Sequence, residues 1–145
     1  MPVAGVVRRR SGGAAADAPG YSRDDPLRLD GAEKRLGVWR APPFIRINYG
    51  SRWVRLDFER ATIDSSVIDI DVVGVAGWIL LVLPAGWAAD VDRLATGWGS
   101  TSVKVPREPA AGKPLLVLHG SVGAGRLRLR TPSRRDRRIS RRVKD

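Results

Sequence analysis

Three stretches of the chain run from Gly to Pro over the same distance. They are Gly77-Trp-Ile-Leu-Leu-Val-Leu-Pro84, Gly99-Ser-Thr-Ser-Val-Lys-Val-Pro106 and Gly125-Arg-Leu-Arg-Leu-Arg-Thr-Pro132. A fainter copy, Gly50-Ser-Arg-Trp-Val-Arg-Leu56, opens the same way without the Pro. The four glycines follow one another at 27, 22 and 26 residues. A period in this range marks a repeat architecture, in which each unit buries its apolar face only against its neighbours. A stacked scaffold with no chemical constellation points to binding or scaffolding, not to catalysis.

Within the units the period is two. Ile45 and Ile47 alternate with Arg46 and Asn48, and Val54, Leu56 and Phe58 alternate with Arg55 and Asp57. Ile68-Asp-Ile-Asp-Val72 does the same. Strict alternation puts one set inside and the other in solvent. Aligning the glycines places Ile68 and Ile70 on Leu116 and Leu118. It places Ile79 and Leu81 on Leu127 and Leu129, and on Thr101 and Val103. The expected interior is Ile45, Ile47, Val54, Leu56, Ile68, Ile70, Ile79, Leu81, Val103, Val105, Leu116, Leu118, Leu127 and Leu129. Burying each fully contributes on the order of 1.5–3 kcal/mol before chain entropy is set against it. One unit departs from the pattern, because Asp90 and Asp92 stand where Ile68 and Ile70 stand. No core buries such a pair unpartnered. A one-residue shift or bulge before Gly97 restores an apolar inner face through Val91 and Leu94.

These observations predict an all-β, single-stranded β-helix of short Gly-bounded strands over residues 42–132, entered at Pro42-Pro43. Residues 1–41 are expected to be a disordered or weakly ordered arm, with at most a helical turn between Asp30 and Leu36. Residues 133–145 are expected to be a basic disordered tail, Ile139 and Val143 being too few apolar groups to hold a helix.

The 145 residues are the size of one domain. The chain has no cysteine, which excludes disulfides, thiolate metal sites and cysteine nucleophiles. The net charge is +11, and 22 of the 26 cationic residues are Arg. The arginine bias has two readings, genome composition and affinity for phosphates of lipid or nucleic acid. The most apolar stretch, Val72 to Leu83, falls short of the ~20 residues that span a bilayer. Arg8 to Arg10 follow the short N-terminal apolar run, the reverse of a secretory signal. The expectation is a cytoplasmic chain, free or peripheral to the inner face of the membrane.

A further resemblance rests on order. Gly50-Ser-x-x-Val-Arg-Leu-Asp-Phe58, Val67-Ile-Asp-Ile-Asp-Val72, Leu83-Pro-Ala-Gly-Trp87 and Ala111-Gly-Lys-Pro-Leu-Leu-Val-Leu118 follow one another before the last Gly-led strand. This order resembles the toast-rack β-helix family, in particular the LiaF-like C-terminal domain of cell-wall-active-antibiotic response proteins, over roughly Phe44 to Thr131. The resemblance implies a right-handed β-helix and a role in envelope-stress regulation. It carries over no catalytic residue and no cofactor. The N-terminal helical domain and transmembrane helices of some relatives have no counterpart here.

Candidate sites are few. His119 is the only histidine, and no carboxylate lies near it in sequence; the glycine alignment sets it on Asp71, on the outward face, where it is expected to be a solvated strand residue. The pairs Asp57/Glu59, Asp69/Asp71 and Asp90/Asp92 each place two carboxylates on one strand face, where they are expected to neutralise arginines; no calcium repeat accompanies them. Gly97-Trp-Gly-Ser100 and Gly120-Ser-Val-Gly123 only brush the hydrolase elbow. Gly120 to Gly125 lacks the Lys-Ser/Thr of a nucleotide loop. The candidate anion-binding surface is Arg126, Arg128 and Arg130, alternating with Leu127 and Leu129 and continued by Arg134, Arg135, Arg137, Arg138, Arg141 and Arg142. The plainer reading is a solvated face that protects an end rung from edge pairing. Trp53, Trp78 and Trp98 have outward parity or lie near turns, and Trp87 is placed at a corner. Outward aromatics beside arginine suit base stacking, a lipid interface or partner contact. Arg137-Arg-Ile-Ser140 has the pattern of a basophilic kinase site, where phosphate would remove about two charges. The leading expectation is a non-enzymatic regulatory or scaffolding module for an unidentified protein partner in an envelope-stress response. The alternative is electrostatic binding of an anionic membrane surface or non-specific nucleic acid.

Overall fold

The computed structural model describes residues 20–134 and 138; the fold is all β, and among the described residues only Arg134 and Arg138, in the tail expected to hold no helix, are helical. Arg8 to Arg10, Arg135, Arg137, Arg141, Arg142 and Ser140 lie outside the described residues. Twelve strands follow in order: β1 (Leu27–Asp30), β2 (Glu33–Arg35), β3 (Arg40–Ala41), β4 (Phe44–Gly50), β5 (Trp53–Asp57), β6 (Thr62–Ile63), β7 (Val67–Gly74), β8 (Trp78–Val82), β9 (Ala88–Ala95), β10 (Ser100–Val103), β11 (Leu115–Ser121) and β12 (Arg126–Arg130). Their pairings are parallel throughout. The chain alternates between two five-stranded sheets, and β3 and β6 pair on a third side. This is a solenoid, with β1/β2, β4/β5, β7/β8, β9/β10 and β11/β12 as its rungs.

The register follows the alternation. Leu116 and Leu118 sit on Ile68 and Ile70, and Leu127 and Leu129 sit on Ile79 and Leu81 and on Thr101 and Val103. Inward residues of the two sheets meet in one core that includes Ile45, Ile47, Val54, Leu56, Ile68, Ile70, Ile79, Leu81, Leu116, Leu118, Leu127 and Leu129. Phe58 links Trp39 and Trp87 at centroid distances of 5.2 and 5.6 Å, filling the third side. Trp87 is therefore buried inside its corner.

At Gly77, Gly99 and Gly125, three of the four recurring glycines, the neighbouring rungs leave no room for a side chain. At Gly77, whose φ is +87°, a Cβ would fall on the carbonyl oxygen of Arg52. That same oxygen accepts the Trp78 N–H at 3.1 Å. At Gly99 a Cβ would fall on the carbonyl of Gly125, which accepts the Ser100 N–H at 3.0 Å. The bond that joins the rungs is the contact that excludes the methyl group.

The folded region begins earlier than the Pro42 boundary. β1 pairs with β4 from Leu27↔Ile45 to Asp30↔Asn48, and Leu29 and Ala41 belong to the core. The segment from Asp30 to Leu36 contains β2, not a helical turn. The cause is edge pairing: β4 and β5 each offer a free edge, and the alternation in Leu27-Arg-Leu29 matches it.

The rungs do not stack in chain order. The sheets run β1-β4-β7-β11-β9 and β2-β5-β8-β12-β10. The last unit is inserted between the third and fourth, so β9/β10 forms an end of the stack. Burial accounts for this. The inserted unit brings Leu116, Leu118, Leu127 and Leu129 to a position covered on both sides. The displaced unit offers Ala89, Val91, Leu94 and Thr101. Val103, expected in the core, is 36 % exposed because β10 is an edge strand, and Val105 is only partly buried. The bulge in the Asp90–Asp92 unit is present: the β9–β11 register shifts between Val117 and His119, and the Asp92 N–H closes it on Asp90 Oδ1 at 2.9 Å. On an edge strand such a bulge also blunts association with another chain.

Candidate functional site

Two outer faces emerge from this stacking. On the first sheet the outward rows are Phe44–Asp69–Val117–Asp90 and Arg28–Arg46–Asp71–His119–Arg93, with Arg28 and Arg93 exposed at the two ends of the second row. Parallel register turns the sequence match between His119 and Asp71 into contact. Nε2 of His119 meets Asp69 Oδ1, and Nδ1 lies 3.3 Å from Asp71 Oδ1. Asp69 also accepts from Arg23 at 3.0 Å, and Asp71 lies 3.4 Å from Arg46. Arg23 in turn stands 5.4 Å over the Phe44 ring. These groups line a cleft of about 170 Å³. His119 therefore has two carboxylate partners that its sequence neighbours do not reveal. The signal was in the glycine alignment, since aligned positions of a parallel stack are neighbours. Arg23 and Arg46 are each answered by a carboxylate here, and among the described residues no three His, Asp or Glu side chains are grouped to hold a metal. The remaining carboxylate pairs serve local structure. Buried Asp57 accepts the Glu59 N–H at 2.9 Å, and Asp92 pairs with Arg107.

On the second sheet the outward rows are Trp53–Trp78–Arg126–Ser100 and Lys34–Arg55–Leu80–Arg128–Ser102. A third row holds Asp57, Val82 and Arg130. Asp57 and Val82 are buried, so no exposed carboxylate stands among these outward positions. Trp53 and Trp78 are stacked, with centroids 5.6 Å apart and planes at 18°. Trp78 remains 42 % exposed. Beside it a shallow groove of about 510 Å³ runs over Gly77, Trp78, Ile79, Leu80, Arg126 and Arg128.

Arg126 and Arg128 thus stand on an inner strand, flanked by β8 and β12's other neighbour β10. That corrects the reading of these arginines as guards of an end rung: β12 has no free edge to protect. Both are exposed, and no ion pair engages either among the described residues. Arg130 is half-buried, and Arg134 and Arg138 are exposed. The tryptophan pair and Leu80 were not foreseen as parts of the arginine surface. Only the strand order brings β8 beside β12.

Trp98, 96 % exposed, stands in the turn leading into β10, at the corner from which the strands of this face start. Among the described residues no helix is long and apolar enough to cross a membrane. The chain matches no protein family, no curated protein and no solved structure.

Proposed function

We propose that this protein is a non-enzymatic regulatory or scaffolding module that works by binding an anionic partner on the outer face of its second sheet. The observation that carries this reading is the pair Arg126 and Arg128, projecting from an inner strand without an ion pair among the described residues, across rows that hold no exposed carboxylate. A surface that served only solubility would gain from interspersed carboxylates, as the opposite face has. Placing like charges on neighbouring outward positions costs repulsion, which an anionic ligand relieves. The resemblance to the toast-rack family supports a setting in a bacterial envelope-stress response, in the cytoplasm or at the inner face of the membrane.

The test of the face uses the full chain and inorganic long-chain polyphosphate, a probe that offers charge alone. Binding should weaken steeply as salt rises. The double variant Arg126→Ser/Arg128→Ser should lose most of the affinity while melting with the parent. Salt-indifferent binding, or a double variant that binds as the parent does, would remove the anionic face. The regulatory setting is tested separately, by pull-downs from cells with and without a wall-active antibiotic. Identical partner sets would remove it.

A further inference from the structure

We infer that the anion taken by this face is single-stranded nucleic acid, with a base stacked at Trp78 and the adjoining phosphates on Arg126 and Arg128. The inference rests on the anionic face proposed above and adds to it the tryptophan pair and the groove.

Three features of the groove carry it. First, an aromatic and two cations are held in fixed register. Trp78 is the direct ladder partner of Arg126, and Leu80 that of Arg128. Adjacent strands lie ~4.8 Å apart and alternate residues ~6.6 Å apart along a strand. The two arginines thus leave the strand at points spaced like successive phosphates of an extended strand, and Trp78 leaves the next strand to the side, within reach of a base attached to that backbone.

Second, the indole is braced. Trp53 stacks against Trp78 and occupies the side towards β5, leaving the side towards β12 as the one that faces the groove. A ring held by a neighbour loses little freedom when a base packs on it, which is the arrangement of stacking platforms that bind single strands without reading sequence. The floor is apolar at Leu80, which suits the body of a base.

Third, the face is shaped against the two competing anions. A lipid surface calls for a patch of protruding apolar side chains, but of those on these rows Trp78 alone is exposed, with Trp98 apart in its turn, while Leu80 is 8 % exposed and Val82 is fully buried. A duplex hides its base faces in the stack and would leave Trp78 without a role. An unstacked strand uses both the charge and the ring.

The experiment measures binding of the full chain to a twelve-nucleotide oligothymidine, an abasic strand of equal length and charge, and phosphatidylglycerol vesicles, each at low and moderate salt. Fluorescence anisotropy gives affinity, and quenching of tryptophan emission reports stacking. Oligothymidine should bind about tenfold more tightly than the abasic strand, the scale of one stacked base, and quench the emission. Trp78→Ala should erase that difference and keep the abasic affinity. Trp78→Phe should keep part of it, which separates stacking from damage to the fold. Arg126→Ser/Arg128→Ser should weaken both strands alike. Equal affinity for the two strands would overturn nucleic acid recognition while leaving the polyanion face intact. Binding to vesicles with none to oligothymidine would overturn it in favour of a membrane surface. Loss of the polyphosphate response would remove the face itself.

Discussion

Over the first sheet, Arg23 from the segment before β1, Arg46 and His119 each meet Asp69 or Asp71, while Arg28 and Arg93 at the two ends of the row have no ion pair among the described residues. On the second, Arg126 and Arg128 rise beside Trp78 and Leu80, and the opposing strand β10 offers Ser100 and Ser102. Both faces are built on the same rungs, with the same inward leucines and isoleucines between them. The fold therefore does not require the difference. Outward positions cost little to change, usually within about 0.5 kcal/mol. Where Asp69 and Asp71 stand among the outward residues, the surface closes on itself. Arg126 and Arg128, whose row neighbours are Ser100, Ser102, Leu80 and Trp78, are left to be completed by something else.

That comparison can be broken at its root by destroying what the faces share. Leu81 is fully buried between Leu56 and Leu129. Leu81→Asp places an unpaired charge there and should cost more than about 4 kcal/mol, abolishing cooperative melting and both faces with it. Melting at the parent temperature, followed by circular dichroism, would refute the shared core.

A sharper test converts one face into the other. Ser100 and Ser102 are ladder partners of Arg126 and Arg128. Ser100→Asp/Ser102→Asp should give these arginines the partners that Arg23 and Arg46 already have. Affinity for polyanion should fall about tenfold, or about 1.4 kcal/mol, with melting unchanged within about 1 kcal/mol.

Tyr49 probes the interior beneath the first face. Its hydroxyl donates to the Val122 carbonyl at 2.8 Å, and burial raises the pKa of the phenol above 10.0. A raised folded pKa means that the folded state holds the proton more tightly than the unfolded one. The contribution is whole below pH 10 and is lost as pH climbs from there towards the folded value. Tyr49→Phe should cost about 1 kcal/mol at neutral pH. It should also flatten the fall in stability above pH 10, measured by urea titration; an unchanged alkaline slope would count against the buried phenol.

The smallest effect is expected from the reverse conversion. Asp69→Asn/Asp71→Asn releases Arg23, Arg46 and His119 from their carboxylates. These pairs are partly exposed, so stability should change by about 1 kcal/mol or less. Affinity for polyphosphate should rise a few-fold, as a second basic face appears. No gain would mean that internal pairing is not what sets the two faces apart.

Much of the architecture was legible in the residues. Alternation in Ile68-Asp-Ile70, Ile79-Leu-Leu81 and Leu127-Arg-Leu129 names the inward side of each strand, because neighbouring side chains on a strand point to opposite faces. The Gly-to-Pro units set the register, because a glycine is needed wherever the next rung's carbonyl fills the place of a Cβ. Even the bulge at Asp90–Asp92 was forced, since two carboxylates could not be buried there. What alternation cannot state is which strand lies beside which. Any parallel pair with matching inward residues satisfies the same pattern, and the pairing energy is non-local. Only tertiary packing, by ranking the interiors that each order buries, moved the leucine-rich last unit inward and the alanine- and serine-rich unit to the end. It likewise drew Leu27 to Ala41 onto free edges. The candidate face is a product of that second decision. Chain order alone would have put β10, not β12, beside β8, and Trp78 would have faced Ser100 instead of Arg126.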